Sequence, residues 1–478
     1  MDSASIQLVF YGLVVAALSN LSQRPAWRSG VLLLASLVFL AMLAPSPLAL
    51  LPFSAFLIAG YAGILLIERR PTTHAAWSIL AIVLAYTWLK KYTFLPAGVL
   101  WQSPYFTLGL SYIFFRVLHL FIESRDREQV GSIGFGSYLL YTLNFTTLVS
   151  GPIQRYDEFA RDQFAREPLP LGPRVIGLQL ERIVIGFFKV NVLAMLLKMV
   201  QEDALGQLSQ SDPSSVRVLA AVQLVMVYPL FLYANFSGYI DIVLAIARLM
   251  RLNLPENFDR PFAASSVLDF WNRWHMTLSN WLKVYVYNPL LIALMRRTSS
   301  SALEPYLAVF GFFVTFFLVG IWHGRTSEFV VFGILTGGGV SVNKLWQLWL
   351  TRALGRKGYK NLGNNPIYIA LSRGLNFSWF AFTLLWFWGD WKQIHEIFRA
   401  LSAFQWLWVG LASWVGATGV LAAWEWLRSG ALSIRRSGEP LLTHRYVRVV
   451  FDSALGVAAF IITVLLNQPS PGIVYKAF

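Results

Sequence analysis

Apolar stretches of about membrane-crossing length recur from one end of the chain to the other, separated by short polar or charged breaks. They fall near 6–20, 30–44, 49–67, 75–96, 104–122, 133–150, 174–200, 216–250, 303–322, 327–350, 374–389, 404–427 and 449–467. Several are short for a full crossing, which predicts bent or partial spans. The pattern as a whole predicts an all-α polytopic membrane protein with about 11–13 transmembrane or re-entrant helices in one domain covering residues 1–478. The first run, Ile6 to Asn20, has no basic residues ahead of it and no small-residue cleavage site, so it is expected to remain as the first span. The pattern fails between Asn253 and Asn288, where Pro255, Pro261, Glu256, Asp259 and Arg260 precede a Trp-rich stretch. Irregular backbone at membrane depth has to be buried in protein or line a watery cavity, so an interfacial or re-entrant segment is expected there.

Composition points the same way. The chain is 56% hydrophobic and only 13% charged, whereas a soluble domain carries about 25% charged residues. The net charge of +15 does not indicate nucleic acid, because the basic residues lie in short clusters between apolar runs, as membrane topology requires. The clusters Arg24/Arg28, Arg69/Arg70, Arg125/Arg127, Arg296/Arg297, Arg352/Arg356/Lys357/Lys360 and Arg435/Arg436/Arg445 all fall on the cytoplasmic side if both termini lie outside. Lys90 and Lys91 are the exception. The same parity makes 303–322 and 327–350 a hairpin pointing outward, with its turn at Trp322-His323-Gly324. With no cysteine and six histidines, disulfides, thiolate metal sites and a cysteine nucleophile are excluded.

Ionisable groups inside apolar segments are costly, so they are where chemistry is sought. His323 in LVGIWHGRTSEF is flanked by Gly320 and Gly324. An imidazole there suits a general base acting on a hydroxyl, and an interfacial pair of Trp322 and His323 at a helix end accounts for it equally well. In FWNRWHMTLSNWLKVYVY, Phe270 to Tyr287, the residues Trp271, Trp274, Trp281 and Tyr285 stripe one face of an expected helix. An aromatic belt with snorkelling Arg273 and Lys283 fits this stripe by composition. The density of Asn272, Arg273, His275, Thr277 and Ser279 favours a polar wall for a phosphate-bearing substrate. Asp241, amid an apolar run, is expected in an ion network reaching Arg248, seven residues on. Arg116 and His119 share a face and either line a donor tunnel or, for Arg116, snorkel. No G-x-S-x-G elbow, H-E-x-x-H, G-x-G-x-x-G or P-loop occurs, so a serine hydrolase, a zincin and a nucleotide fold find no support.

Four blocks in order, FSGYID (Phe236 to Asp241), LPENFDRPF (Leu254 to Phe262), FWNRWHMTLS (Phe270 to Ser279) and GIWHG (Gly320 to Gly324), resemble the membrane-bound O-acyltransferase family. The likeness lies within its bacterial branch of alginate O-acetyltransferases and teichoic-acid D-alanyltransferases. It runs from about Gly109 to the C-terminus. GLSYIFFR, SGPIQRY and FWNRWHM look more like the D-alanyl type, whereas the length and the closing SPGIVYKAF look more like the O-acetyl type. Lys283-Val284, Thr336 and Met195 stand where the family commonly has Arg-Asp, His and Asp.

The resemblance implies a ring of helices around a thin core, with His323 as the essential catalytic residue and His275 as the second signature histidine. Asn272, Arg273, Trp274, Trp322, Arg116 and Asp241 are the expected substrate contacts. No bound cofactor or metal is expected. The implied donor substrate is a thioester on acyl-coenzyme A or an acyl-carrier protein, reaching the site from the cytoplasm. The implied acceptor is a hydroxyl of an extracytoplasmic envelope polysaccharide or of a partner acyltransferase, and the implied place is a bacterial cytoplasmic membrane. A polytopic transporter or flippase, or a non-catalytic scaffold of an envelope-modifying complex, would share the span count. A transporter would be expected to carry paired repeats with broken helices, and none is visible here.

Overall fold

The computed structural model describes residues 6–100, 105–125, 133–210, 214–298, 300–433, 435–436, 439–440 and 445–466. Arg127, the C-terminus and its SPGIVYKAF segment lie outside them. Nine helical segments among the described residues are long and apolar enough to cross a membrane. They are Pro25–Leu43, Leu48–Arg69, Pro71–Leu89, Pro173–Gln210, Ser214–Leu249, Glu304–His323, Ser327–Gly363, Ala403–Ala431 and Tyr446–Thr463. The protein is thus an all-α polytopic membrane protein, and its β-structure among the described residues is a two-residue antiparallel pair, Arg435–Arg436 with Glu439–Pro440, and a single bridge between Phe258 and Trp274.

The chain divides into two compact units. The first is built mainly from Met1–Phe187 and Gly238–Glu256. Its helices include α1 (Ile6–Ser19), α2 (Pro25–Leu43), α3 (Leu51–Arg69), α4 (Pro71–Leu89), α5 (Leu110–Glu123) and α6 (Phe135–Leu143). Prolines at the first positions of α2 and α4 and at the second of α3 suit a helix start, where the missing N–H is not needed. The expected run 133–150 is not one span. It breaks at Asn144, whose side-chain oxygen caps a new short helix by accepting the Thr146 N–H at 3.2 Å. Arg116 on α5 donates to the Tyr141, Thr142 and Thr147 carbonyls around that break at 3.0, 2.7 and 2.6 Å. Buried carbonyls released from a helix need partners, and this guanidinium supplies them.

The second unit comprises Phe188–Ser237 and Asn257–Pro471. It holds α7 (Val267–Trp271), α8 (Met276–Leu282), α9 (Glu304–His323), α10 (Ser327–Gly363), α11 (Pro366–Thr383) and α12 (Ala403–Ser433). α9 and α10 form the hairpin expected from the charge pattern. They cross almost backbone to backbone: a Cβ on Gly320 would collide with Gly333, and one on Gly337 would meet the Phe313 carbonyl at 2.8 Å. The α10 segment continues past the expected end at 350 as two helices joined at a kink, where Gly355 takes φ 68.

Candidate active site

The hairpin turn places the first candidate. His323 closes α9, and Gly324 follows because the Phe329 ring occupies the space a side chain would need. His323 is 5% exposed. The rings of Phe387 and Phe332 lie 5.2 and 6.0 Å from it, and Trp322 at 4.7 Å. These apolar walls keep water from an imidazole that sits at a helix end.

The second candidate is placed by a break in the chain. The expected continuous helix through 270–287 does not form: α7 stops at Trp271, α8 starts at Met276, and His275 between them adopts a left-handed conformation with φ 46. The Trp stripe therefore does not share one face. A strand-like clamp holds the break open, in which Phe258 pairs with Trp274, the Asp259 N–H donates to the Arg273 carbonyl at 3.0 Å, and the Met276 N–H donates to the Asn257 carbonyl at 2.9 Å. The side chain of Asn257 completes the clamp, its Oδ1 accepting from the Thr277 N–H at 3.2 Å, the Thr277 hydroxyl at 2.8 Å and His275 Nδ1 at 3.3 Å. Beyond α8, Lys283–Tyr287 widens into a π-helical turn at the position of the Lys283-Val284 departure.

These two features meet at Trp322. Its ring lies 6.2 Å from the His275 imidazole and 4.7 Å from that of His323, so the indole has both as neighbours. Phe236 closes the His275 side at 5.0 Å. Burial holds the His275 imidazole down, to about 3, so it is neutral across the physiological range.

The other expected contacts are placed differently. Trp274 packs in an aromatic cluster with Phe258, Phe270 and Phe380 at 5.1, 5.6 and 5.1 Å. Arg273 pairs with Asp269 at 2.8 Å and Asp259 at 3.6 Å, and Asn272 is exposed at the end of α7. Thr336, where the family resemblance puts a histidine, donates its hydroxyl to the Phe332 carbonyl one turn back. In the first unit Asp241 pairs with Arg182 at 2.9 Å, and the same guanidinium grips Glu256 at 2.7 and 2.6 Å. Arg248, expected to join Asp241 only through an intervening group, donates to the Pro170 carbonyl at 2.7 Å. Arg182, 59 residues from Asp241, was outside any local spacing rule. His119 accepts the Tyr156 N–H at 3.2 Å. Among the described residues no cluster of three or more His, Asp or Glu is arranged to hold a metal ion.

Asn257 was passed over in the sequence as one polar position between two prolines. The signal that marks it is an amide directly ahead of a half-buried aromatic, Phe258, in a segment that otherwise carries exposed charge.

Comparison with known proteins covers this same region. The model of the membrane-bound O-acyltransferase family matches residues 77–384. The chain is 32% identical over 253 residues to a teichoic acid D-alanyltransferase of Streptococcus thermophilus, covering 51% of this chain and 58% of that relative. It is 30% identical over 212 residues to a peptidoglycan O-acetyltransferase of Helicobacter pylori, covering 44% and 38%. To a probable alginate O-acetylase of Pseudomonas fluorescens it is 27% identical over 324 residues, covering 66% and 61%. The chain thus spans less than two thirds of the length of each of these relatives.

Proposed function

Because the chain belongs to the membrane-bound O-acyltransferase family, we propose that it moves an acetyl or D-alanyl group from a phosphopantetheine thioester to a hydroxyl of a cell-envelope polymer or of an acyl-relay partner. The observation that carries this reading is the buried row His275, Trp322, His323, walled by Phe236, Phe332 and Phe387. His323 takes the proton of the acceptor hydroxyl as its oxygen attacks the thioester carbon. The C–O bond forms, the C–S bond breaks, and the thiolate leaves with a proton. Trp322, between the imidazoles, keeps the reacting centre dry, which strengthens every polar contact inside it.

The donor, coenzyme A or a carrier protein, enters from the cytoplasm, where basic loops attract its phosphates. The acceptor arrives from the outer side of a bacterial cytoplasmic membrane, with both termini outside. On this reading the acyl group crosses the bilayer through the site, and the whole chain works as one catalytic domain. Relatives named for D-alanyl and for acetyl transfer support both acyl groups.

The test is mass spectrometry of small acids released by mild alkali from envelope glycans, comparing wild type with His323→Ala at matched membrane levels. Loss of acetate or of D-alanine in the variant supports the reading and names the acyl group. Unchanged release of both returns the protein to the transporter or scaffold class.

A further inference from the structure

Asn257 carries a bonding asymmetry that the acyl-transfer reading has not used. Its side chain is 0% exposed. A backbone N–H can only donate, so the Asn257 atom facing the Thr277 N–H at 3.2 Å must be the amide oxygen. Chemistry thereby fixes the orientation of the amide, and the third contact to that oxygen, from His275 Nδ1 at 3.3 Å, requires a hydrogen on Nδ1. A neutral imidazole with its hydrogen on Nδ1 has its lone pair on Nε2. The other arm of the amide behaves differently: Asn257 Nδ2 is buried and has no hydrogen-bond partner among the described residues. A buried donor left unmade costs a fold stability, and this one lies on the residue that clamps a signature histidine.

We propose that Asn257 Nδ2 donates a hydrogen bond to the carbonyl oxygen of the acyl thioester, while Oδ1 of the same side chain holds His275 as the Nδ1–H tautomer. The inference rests on the acyl-transfer reading. When the acceptor oxygen adds to the thioester carbon, the carbonyl π pair moves onto its oxygen, and Nδ2–H stabilises that oxyanion. When the C–S bond breaks, the pair returns and the donor relaxes to a ground-state contact. The group is pre-set because Thr277 and His275 anchor the other end of the amide, so no reorganisation is needed as charge develops.

Asn257→Asp tests this directly, because a carboxylate keeps all three acceptor contacts and lacks the donor. The full chain is reconstituted in lipid vesicles with isolated envelope glycan as acceptor, and acetyl-coenzyme A and D-alanyl-phosphopantetheine are varied in parallel. The expected result is a kcat lower by about 100-fold with donor KM within about threefold of wild type and a lowered but still cooperative unfolding transition, because the new charge is buried. A second readout is the infrared stretch of an isotope-labelled acyl carbonyl bound to His323→Ala protein, which shifts down on binding and recovers when Asn257 is also replaced. If Asn257→Asp loses its unfolding transition, Asn257→Ser, which is uncharged and too short to serve both sides, takes its place under the same criteria. A variant kcat within about threefold of wild type, or a carbonyl stretch indifferent to residue 257, overturns the donor role while leaving acyl transfer standing. A wild-type protein inert toward both thioesters overturns the acyl-transfer reading and this inference together.

Discussion

Arg116 in the first unit and Asn257 in the second are both sealed from solvent and both bridge segments far apart in sequence, yet their bonding differs. Arg116 directs its guanidinium at three backbone carbonyls on the two sides of the break at Asn144. Asn257 spends its oxygen on Thr277 and His275 and keeps an amide N–H arm in reserve. A buried charge therefore does not by itself mark chemistry. Arg116, an expected substrate contact by the rule that intramembrane ionisable groups are functional, is occupied by the fold. A neutral amide that no such rule selects has capacity left over for a ligand.

The contrast is broken most severely at His323. Replacing it with Ala is expected to lower acyl transfer by at least about 1,000-fold with the protein still inserted, read as alkali-released acid per unit of membrane protein. Arg116→Ala is expected to act on the other side of the comparison, costing about 3 kcal/mol or more because three carbonyls lose a charged donor. Its measure is the unfolding midpoint in detergent, with kcat of the folded fraction unchanged.

A smaller effect sharpens the role of burial at His275. Its imidazole, held down to about 3 in the folded protein, titrates near 6.5 once unfolded. Between those values the unfolded state binds more protons, so stability falls as pH drops through that window and rises as pH climbs back. The slope is up to about 1.4 kcal/mol per pH unit from this group, and it should disappear in His275→Gln when denaturant midpoints are compared at mildly acid and neutral pH. Smallest of all is Asn272→Ala. That side chain is exposed at the end of α7, and its loss is expected to change stability by less than about 0.5 kcal/mol and leave turnover at the wild-type level.

The spans and the His323 hairpin were legible because run length and the sign of flanking charges are local properties of the chain. The turn at Trp322-His323-Gly324 and its small-residue crossing follow from residues within one hairpin. The break at His275 was not legible, since periodicity through Trp271, Trp274, Trp281 and Tyr285 is genuinely helical. What overrides it is a clamp from Asn257, 18 residues earlier. The direct partner of Asp241 was not legible either: seven-residue spacing offered Arg248 only through an intervening group, and the guanidinium that pairs with it comes from Arg182 on a different helix. Periodic signals report what a segment can do alone, and both misses occur where a side chain distant in sequence supplies the contact.

The carbonyl contacts of the first unit also impose an order on biosynthesis. Arg28 enters with α2, but its guanidinium meets the Asp162, Gln163 and Ala165 carbonyls only 134 to 137 residues later. Arg116 waits for Thr147, 31 residues on. A helix bearing a bare guanidinium is poorly held in hydrocarbon, so α5 settles once the chain through Thr147 has left the ribosome, and α2 only after the chain through Ala165 has followed. Truncations ending before Ala165 should leave α2 easily extracted, those ending before Thr147 should leave α5 so as well, and those ending after Ala165 should lock both in place. The unit is a late-closing assembly in which the first spans to enter are among the last to become secure.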